Sequence, residues 1–237
     1  KQNTPEKMIL YNLIDKFLMN DFNSEIKKQL KSKNPIIFDI GCFNGNFSRK
    51  LKKDLNLKNQ SFYLFDANPY LKIKGFDYFN VTFSDKIKLR KFNLNTFLPS
   101  SGSSLKKTIK NDKLWNFSRK LVTLKINQSF VTLKVKTNTL DNFCRVKKIR
   151  KIDLLKIDVE GSEFEVIQGA KKQLESTEII LLEILEKKNC YDEKFQKIFK
   201  LLTKKYGFKL LKKKEIFSTK IFSHLRSSDL LFVKKKV

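Results

Sequence analysis

The sequence predicts an α/β fold built on a parallel sheet with helices on both faces. Three observations predict it. Ile152, Leu154, Leu155, Ile157 and Val159 make a nearly continuous apolar run, the signature of a parallel strand covered on both sides. Gly161 and a helical stripe (Phe164, Ile167, Ala170, Leu174) follow at once. A second unit of the same kind lies upstream, where Pro35 precedes the apolar strand Ile36–Ile40, a glycine-bearing loop and a helix over Ser48–Leu55. Finally, Ser61–Phe65 is a strand ending on Asp66, about twenty residues past that loop, which is the spacing of a βαβ unit.

A chain of 237 residues can bury a full core in one domain. We expect one domain over 1–237, with a helical appendage over 1–34 and an insertion over 86–138. Hydrophobic content of 41% with 12% aromatics argues against disorder. The net charge of +27 points to an anionic partner such as nucleic acid, a lipid surface or a phosphorylated glycan. Yet the excess is mostly Lys, amid abundant Asn, Ile and Phe, a mixture that AT-rich coding also produces. Cys42, Cys144 and Cys190 are odd in number and lack a CxxC, so neither a disulfide framework nor a zinc site is expected. A reducing, cytoplasmic location follows. The longest apolar run, Ile179–Leu182, is stopped by Glu183, far short of the ~20 residues of a membrane span. No signal-peptide pattern is expected at the N-terminus.

Thr4-Pro5 reads as N-cap and first helical residue, and Met8, Tyr11, Leu13, Ile14, Phe17 and Leu18 supply an amphipathic stripe. One or two helices should run to Lys33. The loop after the first strand, Asp39-Ile40-Gly41-Cys42-Phe43-Asn44-Gly45, reads D-x-G-x-x-x-G. It lacks the G-x-G-x-x-G of a pyrophosphate cradle and the lysine of a P-loop. The wider spacing suits a ligand without phosphate. Asp66, ending the second strand, offers two acceptor oxygens for a ribose diol. Asn68-Pro69-Tyr70 is similar to part of the N-P-P-Y of amino-methylating nucleic-acid enzymes, but that motif follows the fourth strand, not the second.

Tyr78–Phe83 is a third strand, and Ser84-Asp85 follows, with an Asp that can accept from an exocyclic amine. Leu89–Leu94 alternates as a strand, and Pro99–Ser104 is a flexible Ser/Gly loop. Leu121–Ile126 and Phe130–Val135 flank Asn127-Gln128-Ser129 as a hairpin. Trp115 is assigned to core packing.

In the Ile152–Val159 strand, period-two alternation puts Lys156, Asp158 and Glu160 on one face. Three charges there are costly unless paired or used. Acids at the carboxyl end of a central strand lie where open α/β sheets bind ligands. A structural Lys156–Asp158 ion pair with a solvated Glu160 is the other reading of these residues. Ser162 and Glu165 have capping-box spacing. Glu178–Ile184 is a fifth strand, Asp192–Tyr206 a helix with Phe195, Ile198, Phe199 and Leu202 inward, and Gly207 its C-cap. Phe208–Phe217 and Asp229–Val233 close the sheet, with His224 in the loop between them in a structural or solvated role.

Two segments, Thr139-Leu140-Asp141 and Lys156-Ile157-Asp158-Val159-Glu160-Gly161, resemble the TLD and K-I-D-V-E-G-x-E of the FkbM family of S-adenosylmethionine-dependent methyltransferases. The glycine loop resembles motif I of class I methyltransferases. Asp66-Ala67-Asn68-Pro69 resembles the family's E-P-N-P, with Asp for Glu and Ala67 for the first Pro. Ser103-Ser104-Leu105 resembles a recurring SSL. The resemblance spans Ile36–Val233. It implies a Rossmann-like class I methyltransferase sheet of seven mostly parallel strands, three-layer α/β/α, with an antiparallel C-terminal strand. It implies S-adenosyl-L-methionine bound by Asp39, Gly41, Phe43, Asn44, Gly45, Asp66, Ala67, Asn68, Ser84, Asp85 and Asp158. It also implies O-methylation of a sugar, glycan or secondary metabolite, with 86–138 setting acceptor specificity.

Such a reaction needs in-line alignment and a route for the hydroxyl proton. Asp158 is expected beside the methionine end, Asp158 or Glu160 as the base, and Lys156 as the group orienting one of them. Two carboxylates could hold a divalent cation, but no third oxygen ligand is evident, so no metal is expected. The partner is then a small-molecule or glycan hydroxyl acceptor. Two other readings remain: an RNA or DNA methyltransferase using the basic surface, and a non-catalytic cofactor- or glycan-binding module on the same fold.

Overall fold

The computed structural model describes residues 22–95, 103–105, 130–185, 191–216 and 227–235. The expected N-terminal stripe, Trp115, Leu121–Ile126, Cys190 and His224 lie outside the described residues.

Ten strands are described: β1 (Ile37–Ile40), β2 (Phe62–Asp66), β3 (Asp77–Asn80), β4 (Thr82–Phe83), β5 (Leu89–Asn95), β6 (Phe130–Asn138), β7 (Leu154–Ile157), β8 (Ile179–Leu185), β9 (Phe208–Ile216) and β10 (Ser227–Lys234). Seven form the main sheet in the order β3-β2-β1-β7-β8-β10-β9. The pairs from β3 to β8 are parallel, and β10 runs antiparallel to both β8 and β9. This is the seven-stranded sheet with an antiparallel C-terminal strand that the resemblance implies.

Alternation along the strands sorts the core into two layers. Phe38, Ile40, Phe65, Leu155 and Ile157 pack on one face. They meet Leu140 and Phe143 of α3 (Leu140–Val146) and Val166 and Ile167 of α4 (Glu163–Gln168). Leu174 of α5 (Gln173–Ser176) and Ile198 of α6 (Tyr191–Lys200) complete that layer. Ile37, Phe62, Leu64 and Leu154 pack on the other face, with Ile26 of α1 (Asn23–Gln29) and Leu51 of α2 (Asn46–Leu55). Each such side chain is worth roughly 1.5–3 kcal/mol when fully buried. The two layers therefore hold the strand ends in a fixed frame.

Four expectations are corrected. The third strand does not run unbroken over Tyr78–Phe83. Val81 N–H donates to Phe79 O at 3.0 Å, a three-residue turn that moves the chain from the main sheet into a small β4-β6-β5 sheet. Ser162 does precede α4, but its side chain makes no cap hydrogen bond, so the capping box is not formed. The stripe Phe164–Leu174 is not one helix; α4 ends at Gln168 and α5 begins at Gln173. In the Ser/Gly loop, Ser104 is tied down, exchanging backbone hydrogen bonds of 2.9 and 3.0 Å with Asn93 of β5. β6 pairs antiparallel with β5 over residues 130–136, and its expected hairpin partner Leu121–Ile126 lies outside the described residues. The helix after β8 passes at Leu201–Lys205 into a π-helical turn, and Gly207 ends it at φ 69, as its C-cap reading requires.

Candidate active site

In the parallel register of β1 and β7, Asp39 stands opposite Lys156. Lys156 Nζ lies 3.2 Å from Asp39 Oδ1 and 3.1 Å from Asp158 Oδ2. Ser48, in the first turn of α2, donates to Asp39 Oδ2 at 2.7 Å. Asp39 is 0% exposed, so the chain itself engages both of its oxygens. Burial disfavours the Lys156 charge, but Asp158 and Asp39 outweigh it and hold the ammonium well above its ordinary pKa. The Phe47 ring also faces Nζ, 5.4 Å from its centroid.

The glycine turn binds this trio to β2. Gly41 has φ +81°, and a Cβ there would fall 1.7 Å from the Asp158 carbonyl oxygen. Only glycine permits that approach. Gly41 and Cys42 N–H groups donate to Phe65 O at 2.8 and 3.1 Å, and Asp158 N–H donates to Ile40 O at 2.9 Å. Phe43, at φ 45, donates its N–H to Asp66 Oδ2 at 3.0 Å, and Asn68 N–H donates to Asp66 Oδ1 at 2.8 Å. Asn44 accepts through Oδ1 from Asn46 N–H at 3.0 Å, Arg49 donates to the Asn44 carbonyl, and Gly45 N–H donates to Cys42 O at 2.7 Å.

The structure thus brings Asp39, Asp66 and Asp158 to one place, the carboxyl ends of the adjacent strands β2, β1 and β7. Burial pushes the Asp66 carboxyl up to about 6, and the Asp158 and Asp39 charges add to the rise. Burial, then Asp39 and Asp66, push the Cys42 thiol far up, so it is a packed filler and not a nucleophile at neutral pH. A carboxylate has about four lone-pair positions. Two amides on Asp66 leave acceptor capacity for a ribose hydroxyl, so the donor set fits an adenosyl group.

β7 ends at Ile157, so Glu160 does not continue its alternation. Glu160 (φ 53) and Gly161 (φ 98) are consecutive left-handed residues. Ser104 Oγ donates to Glu160 O at 2.7 Å, and Gly161 N–H donates to Glu163 Oε1 at 2.7 Å. Burial pushes Glu163 up to about 7, with help from Asp158 and Glu160. Glu183 on β8 is raised by burial, then by Asp158, Asp229 and Glu160. Asp229 of β10 is its cross-strand partner. Among the described residues, no group of three or more His, Cys, Asp or Glu is arranged to hold a metal ion.

Glu163, Glu183, Asp229, Ser48 and Ser104 are the members of this site that sequence reasoning missed. Glu163 was legible as the last letter of the K-I-D-V-E-G-x-E match. Glu183 carried a weaker signal, an acid closing an apolar strand just as Asp158 does.

Ser84 and Asp85 stand apart from the loop acids in their hydrogen bonding. Ser84 Oγ donates to Asp85 Oδ1 at 3.0 Å and accepts from Arg90 at 3.0 Å, and Lys88 lies 3.7 Å from Asp85. Thr139-Leu140-Asp141 is architectural. Thr139 Oγ1 accepts from Asn142 N–H at 3.1 Å and caps α3, and Leu140 is buried. The Asp141 carboxylate accepts from Lys172 and Gln173 N–H groups at 3.0 Å, capping α5.

A family model described as the methyltransferase FkbM domain matches residues 39–210. The 2-O-methyltransferase NoeI of Sinorhizobium fredii (strain NBRC 101917 / NGR234) is 28% identical over 172 residues, covering 67% of this chain and 67% of that protein. Among solved structures, M. capricolum TrmK in complex with S-adenosyl-homocysteine aligns with a TM-score of 0.44 and 14% identity, covering 92% of this chain and 70% of that one. Precorrin-6y C5,15-methyltransferase from Geobacter metallireducens aligns at 0.43 with 11% identity, covering 92% and 90%.

Proposed function

The chain belongs to the methyltransferase FkbM domain family and is an S-adenosylmethionine-dependent methyltransferase, and from that premise we propose that it methylates a hydroxyl group of a sugar, glycan or secondary metabolite. One observation carries the reading. Lys156 links Asp39 and Asp158, and the glycine turn between them links both to Asp66.

Asp66 and the Phe43–Gly45 backbone, with Ala67 and Asn68 beside them, are the residues that would hold the nucleoside; Asp158 would face the methionine end. When bound, S-adenosylmethionine supplies a methyl group on a positively charged sulfur. The carboxylates of Asp66 and Asp158 favour positive charge at that place. Lys156 keeps Asp158 oriented toward β1. Glu160 or Asp158 accepts the acceptor's hydroxyl proton as the oxygen attacks. Most of the rate then comes from holding oxygen and methyl in line, which requires a rigid frame.

The acids around Asp158 bear on the acceptor. Glu160, Glu163, Glu183 and Asp229 gather beside Asp158, while Lys156 is spent on Asp39 and Asp158. Burial favours the neutral forms of Glu163 and Glu183, which offer hydrogen bonds to a neutral hydroxyl. The 2-O-methyltransferase name of the relative NoeI supports the same direction. The net charge of +27 favours the second reading, a nucleic-acid methyltransferase. Calorimetry with S-adenosylmethionine, followed by methyl transfer to a glycoside panel and to mixed RNA across a salt series, separates them. Methylated glycoside with salt-insensitive turnover supports the proposal, and salt-dependent RNA methylation overturns it.

A further inference from the structure

We propose that Ser104 is a positioning residue for methyl transfer, gripping the turn after β7 from the insertion while Glu163 grips it from the helix. The carbonyl of Glu160 and the N–H of Gly161 belong to the same peptide unit. Ser104 Oγ donates to that carbonyl at 2.7 Å, and Glu163 Oε1 accepts from that N–H at 2.7 Å. Both polar ends of a single peptide plane are therefore held by side chains. Hydrogen bonds at the two ends of an amide polarise one another and strengthen together.

The residues on either side of this plane are both left-handed, at φ 53 and φ 98. A side chain at positive φ is uncommon and persists when its surroundings dictate it. Rotating the plane would break both bonds and re-aim the Glu160 side chain. The two grips come from different parts of the fold. Glu163 opens α4, whereas Ser104 sits in the insertion and exchanges two backbone hydrogen bonds with Asn93 of β5. Ser103 Oγ accepts from Asn95 N–H at 3.0 Å, anchoring the same segment again. Ser104 is 1% exposed, so water does not compete for its bond. One contact thus ties the insertion to the peptide plane that follows the Glu160 side chain. An element expected to face the acceptor would then govern the acid that acts on it, which rests on the reading of Glu160 given above.

The test uses the full chain and a single amide. Glu160-Gly161 is the only Glu-Gly pair in the sequence, so glutamate labelled with carbon-13 at its carbonyl and nitrogen-15 glycine isolate this peptide in an NMR spectrum. In Ser104→Ala, Gly161 hydrogen exchange should quicken by about tenfold or more, and kcat for glycoside methylation should fall by about tenfold. S-adenosylhomocysteine affinity should stay within about twofold of wild type. Glu163→Ala should release the same amide, and Glu163→Gln, which keeps an acceptor oxygen, should retain it. Unchanged exchange in Ser104→Ala overturns the grip. Faster exchange with unchanged kcat overturns the positioning role, and a parallel loss of S-adenosylhomocysteine binding shows general loosening instead. If the wild type methylates no glycoside, the proposed acceptor class fails, while the exchange comparison still decides the grip.

Discussion

Lys156 of β7 stands in register with Asp39 of β1, and its ammonium lies 3.2 Å from that carboxylate while also 3.1 Å from Asp158. One cation neutralises an acid beneath the glycine turn and an acid at the strand end. Replacing it by an apolar side chain leaves Asp39, 0% exposed, without its counter-charge. Breaking a buried pair from one side costs about 3–5 kcal/mol. Lys156→Met should lose stability of that order in urea unfolding at pH 7. A loss below about 1 kcal/mol would mean that the contact is only a surface-like pair.

Gly41 carries the second prediction. A methyl group at its Cβ position would meet the Asp158 carbonyl at 1.7 Å, and the backbone there is left-handed. Gly41→Ala must push the turn away from β7. The expected outcome is a fall of at least about tenfold in S-adenosylhomocysteine affinity, read by calorimetry, alongside lower thermal stability. Wild-type affinity in a folded Gly41→Ala protein would dissociate the turn from cofactor binding.

Two raised carboxyls predict a pH dependence of stability. Glu163 moves from 4.5 to about 7 and Asp66 from 3.8 to about 6, each mainly through burial. Between the ordinary and the folded values, the native state binds more protons than the unfolded chain. Their contribution is therefore most favourable below pH 4 and is lost as pH rises through about 7. Urea midpoints measured from pH 4.5 to 7.5 should show this loss, and Glu163→Gln should flatten it. An unchanged slope in Glu163→Gln would place the titration elsewhere.

Glu160→Gln separates chemistry from binding. Glu160 lies in the turn beyond β7, while the amides on Asp66 come from the loops after β1 and β2. Methyl transfer should fall by about a hundredfold or more, in line with loss of a general base. Affinity for S-adenosylmethionine should stay nearly intact. Equal loss of both would remove Glu160 from the role of base.

The central strands of the main sheet were legible because they are covered on both faces, so that apolar runs such as Ile36–Ile40 and Ile152–Val159 announce themselves. The break at Val81 was not, since Tyr78–Phe83 alternates smoothly and the turn arises from a change of sheet. Ser162 and Glu165 have capping-box spacing, but Glu163 takes the Gly161 N–H and Ser162 adopts φ −111, ψ 18 instead of an extended cap geometry. Asp39, Asp66 and Asp158 could be placed at strand ends by pattern alone. That Glu183 and Asp229 join them depends on how β8 and β10 pair, a long-range fact no local window holds. Ser104 reads as part of a flexible Ser/Gly loop because its partners, Asn93 and the Glu160 carbonyl, lie on other segments.

Titration calorimetry with S-adenosylhomocysteine on the wild type and Asp66→Asn, repeated from pH 5 to pH 8, decides whether the acid ending β2 holds the nucleoside. Asp66 is held near 6 by burial, so wild-type affinity should rise with pH through that value and then level. Asp66→Asn should bind at least about tenfold more weakly and show no such rise. Wild-type affinity in Asp66→Asn at every pH would contradict the claim that the acid ending β2 holds the nucleoside.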